Sequence, residues 1–96
     1  MNSKQRAYLK SIAMTTEPTF QLGKGRITPE FTAAIDEALE AKELIKITVL
    51  NNCMENPSEL AYVLAERTRS EVVQVIGKKI VLYRESSKKK RIELPK

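Results

Sequence analysis

The stretch Thr19–Phe20–Gln21–Leu22–Gly23–Lys24–Gly25–Arg26–Ile27–Thr28–Pro29–Glu30 constrains the fold most, because it makes a strand hand over to a helix through a glycine turn. Thr19 to Leu22 favour extended backbone. Gly23 and Gly25 reach backbone angles closed to other residues, so the chain can bend sharply and come close to a ligand. Thr28 is a good N-cap, and Pro29 suits the first helical position, where its missing N–H costs nothing. Unpaired amides at such a helix start favour anions, and Lys24 and Arg26 set two cations beside them. The stretch reads as a phosphate-binding tip. The plain alternative is a glycine turn with two solvated charges.

Periodicity places the remaining elements. Asn2 to Met14 reads as a first helix, opened by a capping box between Asn2 and Gln5. Tyr8, Leu9, Ile12 and Ala13 share one face of it, and Lys4, Arg6 and Lys10 lie off that stripe. Pro18 ends it. A second helix, Pro29 to Lys42, buries Phe31, Ile35, Ala38 and Leu39. Asp36, Glu37, Glu40 and Glu43 fall mostly on its other side and are expected to form a solvated acidic face, turned away from any polyanion. Leu44 to Leu50 is a strand in which Ile45, Ile47 and Val49 alternate with Lys46 and Thr48. After a polar loop holding Cys53, Asn56 caps a third helix, Pro57 to Thr68, whose Arg67 and Arg69 suit its negative end.

Glu71–Ile76 and Ile80–Arg84 form a hairpin with a basic tip, Gly77–Lys78–Lys79. Val73, Val75, Ile80 and Leu82 suit its inner face, with Gln74 and Tyr83 outward or at an edge. Ser86 to Arg91 is a charge run of the kind usually solvated or disordered, and Ile92 to Pro95 suits a short edge element. The order α-β-α-β-α-β-β with short links predicts a compact α/β two-layer sandwich with a four-stranded mixed sheet, mostly parallel, with one antiparallel hairpin strand. The glycine turn then sits at the carboxyl end of a strand, where open α/β sheets bind ligands.

The 96 residues suit one domain, with 85–96 a basic tail. Lys and Arg total 17 against 12 acids, a net charge of +5 that points to nucleic acid or another anionic surface. Much of the excess lies in that tail, so a basic surface on the body must come from arrangement rather than sum. Histidine is absent, Cys53 is the single cysteine, and Gly23–Lys24–Gly25 lacks the spacing of a Walker loop. No catalytic nucleophile, metal cluster or cofactor is therefore expected. No apolar run is long enough to span a bilayer and no secretory signal is evident, so a cytoplasmic location is expected.

With these residues placed, the chain resembles the YhbY family, also called the CRM domain (chloroplast RNA splicing and ribosome maturation). The resemblance rests on Ser3–Lys4–Gln5–Arg6–Ala7–Tyr8–Leu9, Gln21–Leu22–Gly23–Lys24–Gly25, Ile35–Asp36–Glu37–Ala38–Leu39–Glu40–Ala41, Glu43–Leu44–Ile45–Lys46 and the run Val73 to Arg84. It implies a fold like the C-terminal domain of translation initiation factor three and RNA binding through a GxxG-type loop. It also implies a small bacterial factor that associates with precursors of the large ribosomal subunit. Arg26 stands where the family loop usually has a second glycine. That gives up some close backbone approach and gains a guanidinium fork able to hold a phosphate with two hydrogen bonds.

The expected mechanism is recognition of structured RNA through phosphates, with little base specificity. Gly23, Lys24, Gly25 and Arg26 grip the backbone, Lys4, Arg6 and Lys10 extend the patch if the first helix packs near the turn, and Lys78 and Lys79 reach neighbouring phosphates. Aromatic residues make up only 5%, which disfavours a stacking platform. The partner expected is ribosomal RNA, met by a monomer. Two alternatives stay open, a DNA-binding protein of related architecture and a ribosome-associated protein-interaction module.

Overall fold

The computed structural model describes residues 1–23, 27–51, 53 and 55–96. Its elements are α1 (Ser3–Met14), β1 (Phe20–Leu22), α2 (Pro29–Lys42), β2 (Leu44–Val49), α3 (Pro57–Thr68), β3 (Glu71–Ile76) and β4 (Lys79–Tyr83). The helix starts follow from local chemistry. The Asn2 side chain accepts from Gln5 N at 2.8 Å while Gln5 Oε1 accepts from Asn2 N at 3.1 Å, the reciprocal box expected. Thr28 Oγ1 accepts from Phe31 N, and Asn56 Oδ1 from Ser58 N and Glu59 N.

The sheet is four-stranded and mixed, as expected, in the order β1-β2-β4-β3. β1 pairs with β2 in parallel, and β4 is antiparallel to both its neighbours. The expected mostly parallel sheet thus has a single parallel pair of neighbours. The crossover through α3 places β3 two positions beyond β2, and the tight hairpin then returns β4 into the space between them. Gly77 supplies the positive φ of 55° at the first position of the two-residue turn Gly77–Lys78, where a type II′ hairpin takes glycine. Lys79 is already in β4.

Two hydrophobic clusters flank the sheet. α2 and α3 cover one face through Ile35, Leu39, Leu60 and Leu64, packed on Leu22, Ile45, Ile47, Val49, Ile80 and Leu82. Cys53 is buried in the same cluster. On the other face Leu9 and Ala13 of α1 pack on Leu44, Val73, Val81 and Tyr83, so α1 adds a partial third layer. A bulge between Val72 and Gln74 explains two departures from simple alternation. The extra residue turns Val73 toward α1, while Val72 and Val75 pack against the α2/α3 cluster. Tyr83, expected outward, is buried under α1 and the C-terminal segment.

That segment is not a loose tail. Ile92 and Leu94 pack on the α1 cluster, and Gln5 Nε2 donates to Pro95 O at 3.0 Å. Among the described residues no helix is long and apolar enough to cross a membrane.

Candidate nucleic-acid interface

The carboxyl ends of β1, β2 and β3 lie at one end of the sheet, because these three strands run the same way. Two backbone hydrogen bonds stitch this turn end together. Leu50 N donates to Leu22 O at 2.8 Å, and Val49 N donates to Lys78 O at 2.7 Å. Gly23 and the Lys78–Lys79 tip are thereby fixed on either side of the end of β2. Phe20 of β1 meets Phe31 of α2 edge to face, with ring centroids 6.2 Å apart, which fixes the strand and helix on both sides of the glycine turn. Lys24, Gly25 and Arg26 themselves lie outside the described residues.

The starts of α2 and α3 share this end but differ as anion sites. At α3 the first two amides after Pro57 already point at Asn56, and Glu55 and Glu59 stand beside them. At α2 the cap Thr28 accepts from Phe31 N, and Glu30 is the acid of the first turn. The dipole favours an anion at both starts, but the paired carboxylates of α3 oppose it. The better anion position is therefore the α2 start, which follows the glycine turn.

Arg67 was read from the sequence as a helix-end charge, and the structure gives it a further place. It is exposed on α3 and lines the open depressions between the helices, beside Pro29, Thr32, Ala33 and Asp36 on one side and Ile27, Glu55, Glu59, Leu60 and Val63 on the other. Its position four residues after Val63 is the signal that could have revealed this.

The α1 cations are placed differently. Arg6 donates through one guanidinium nitrogen to Val72 O and, at 3.1 Å, to Val73 O. Lys4 and Arg6 therefore lie at the start of β3, the far end from the Gly77–Lys78 tip, and are not brought to the turn. Lys10 is exposed on α1. Lys46, on the same face, donates to Ala13 O at 3.0 Å and Thr16 O at 3.4 Å, capping the end of α1.

The opposite, tail end is organised by two carboxylates that the sequence reading placed on a solvated face. Glu43, at the end of α2, is fully buried with φ of 69°. Its carboxylate accepts from Ser86 N at 2.6 Å, Arg91 N at 2.7 Å and Ile92 N at 2.6 Å. Burial alone would push its pKa up, but these amides and the charge of Lys90 outweigh that and leave it below the ordinary value. Glu40 accepts from the Ser86 hydroxyl at 2.6 Å, from both the amide and the hydroxyl of Ser87, and from Lys88 N. Led by the Ser86 hydroxyl and the Ser87 amide, these donors lower its pKa to about 2. Asp36 is also engaged, pairing with Arg84 at 2.5 Å. Among the described residues no group of His, Cys, Asp and Glu is arranged to hold a metal ion.

Comparison with known proteins agrees with this architecture. Residues 1–84 match the model of the CRS1 / YhbY (CRM) domain. The chain is 47% identical over 95 residues to the Bacillus subtilis protein named "Probable RNA-binding protein YqeI", covering 99% of each. It is 34% identical over 96 residues to a Haemophilus influenzae protein named "RNA-binding protein", covering 100% of this chain and 96% of that one. The solution structure of the hypothetical protein SAV1595 from Staphylococcus aureus superposes with a TM-score of 0.82 at 52% identity, covering 99% of both chains. A match across the three helices, all four strands and the glycine turn identifies the chain as a member of the CRS1 / YhbY (CRM) domain family.

Proposed function

We propose that this protein binds structured RNA through its phosphate backbone at the turn end of the sheet, and that its RNA is ribosomal, in precursors of the large subunit. Gly23, Lys24, Gly25 and Arg26 grip the strand beside the α2 start. Lys78 flanks them across β2, Lys79 adds a cation on the α1 face of the same end, and Arg67 is a single further cation among the acids of the groove between α2 and α3. The observation that supports this most is the stitching of Leu22, Val49 and Lys78 at one end of the sheet, which holds the hairpin tip at Lys78 across β2 from Leu22, the residue before Gly23. Relatives along the whole chain carry names that state RNA binding. Such contacts fix register on a folded RNA and carry little base information. The protein acts as a cytoplasmic monomer and as a binding factor rather than an enzyme.

Crosslinking in cells, with sequencing of the attached RNA, tests both levels of this reading. Enrichment at one region of large-subunit precursor RNA is expected. A map scattered over unrelated transcripts would overturn the ribosomal assignment, and an absence of RNA crosslinks would overturn RNA binding itself.

A further inference from the structure

The C-terminal lysine run has a feature that a mobile charged tail lacks. The amides of Ser86, Ser87, Lys88, Arg91 and Ile92 all donate to Glu40 or Glu43. Lys89 N donates to the Ser86 hydroxyl at 3.0 Å, and Ile92 and Leu94 anchor the end of the turn in the core. Lys88, Lys89, Lys90 and Arg91 are left exposed on a backbone whose conformation is already set. Lys90 pairs with Glu85 at 3.3 Å.

We propose that Lys88, Lys89 and Arg91 form a second site for the phosphate backbone of RNA, so that the protein bridges two segments of one folded RNA. The proposal rests on the reading that the ligand is RNA. β2 runs from Leu44, beside the tail, to Val49, beside the hairpin tip. It therefore separates the two sites by about 17 Å at 3.3–3.4 Å per residue. A flexible lysine run would lose freedom on meeting RNA, whereas this turn has lost it on folding, which favours affinity. The occupant fits the surface by charge: these three exposed cations fall within the four residues 88–91, a density suited to phosphates rather than to unstacked bases.

The test uses a labelled fragment of large-subunit precursor ribosomal RNA, titrated at several salt concentrations. The variant Lys88→Gln/Lys89→Gln/Arg91→Gln is compared with Lys24→Gln/Arg26→Gln. Loss of two or three phosphate contacts by the tail variant is expected to weaken binding about ten-fold and to flatten the log–log salt slope by roughly two. Unchanged affinity and slope in the tail variant, with the turn variant still impaired, would overturn the second site and leave the first standing. Loss in the tail variant alone would uphold the second site and overturn the turn. Full RNA binding by the tail variant, together with lost RNase-resistant co-sedimentation with ribosomes, would assign the tail to a protein partner and refute the proposal. Glu40→Asp keeps every charge but shortens the arm that holds the backbone, and a few-fold loss is expected from it. Wild-type affinity in Glu40→Asp would show that the lysines act as mobile charges and would overturn the built site.

Discussion

The two ends of the sheet handle the same pairing, backbone amide with anion, in opposite ways. At the turn end, two strands and a hairpin tip are stitched together beside the start of α2, whose dipole favours an anion from outside. At the tail end, Glu40 and Glu43 fill that role from within, and the amides of Ser86, Ser87, Lys88, Arg91 and Ile92 are already occupied. One end offers a helix start to a ligand. The other uses up its amides in holding a shape and leaves side-chain cations on the outside. The basic segment 86–92 is therefore held by the acids beneath it, whereas the basic hairpin tip is held by backbone alone.

The comparison breaks first at the turn. The variant Lys24→Glu/Arg26→Glu is expected to lose about two orders of magnitude in RNA affinity at moderate salt, with an unchanged circular dichroism spectrum. Wild-type affinity would move the outward-facing anion site elsewhere. Next in size is Glu43→Ala, which strands three buried or half-buried amides. It is expected to reduce unfolding free energy by about 3 kcal/mol in urea titration and to accelerate amide exchange at Ser86, Arg91 and Ile92. Protection that persists there would mean the carboxylate does not organise the tail.

Acid sharpens the contrast. The folded-state pKa values of Glu40 and Glu43 are both depressed, Glu40 to about 2 from an ordinary 4.5. Their contribution is therefore complete above about pH 4.5 and is lost as pH falls through the folded-state values. Amide exchange measured by NMR should show 86–92 loosening between about pH 4 and pH 2 while the Gly77–Lys78 tip, held by Val49 N, keeps its protection. Simultaneous loss at both ends would point to global acid unfolding. The smallest effect expected is that of Lys78→Gln/Lys79→Gln, about a five-fold loss of RNA affinity with a slope change of one to two.

The parts that were legible in the sequence are those set by neighbours in the chain. Asn2 with Gln5, Thr28 with Pro29, and Asn56 with Pro57 announce three helix starts within a few residues each, and alternation in 44–49 marks β2. Long-range effects were not legible. Glu40 and Glu43 lie 43 to 49 residues from the amides they hold, so on a helical wheel they look like ordinary solvated acids. One inserted residue at Val73 redirects a side chain without disturbing composition or period. Arg6 and Lys46 are indistinguishable in sequence from free surface cations, yet both are spent on backbone carbonyls. The candidate site shows in the sequence as a motif, but the placement of its residues does not. Lys78 comes across β2 from Leu22 only because β4 is inserted beside β2, Lys79 turns to the α1 face beside Lys46, and Arg6 lies at the far end because of the direction in which α1 runs.

The placement of β4 also bears on synthesis. The strand that completes the middle of the sheet follows both of its neighbours in the chain. Until Ile80 and Leu82 emerge from the ribosome, β2 lacks its antiparallel neighbour and β3 has nothing to pair with. Local helices can form early, but closure waits for a contact between Leu44 and Tyr83, 39 residues apart. The sheet of this protein thus closes only when β4 is in place, and truncation before β4 would leave the facing edges of β2 and β3 unpaired for chaperones to cover.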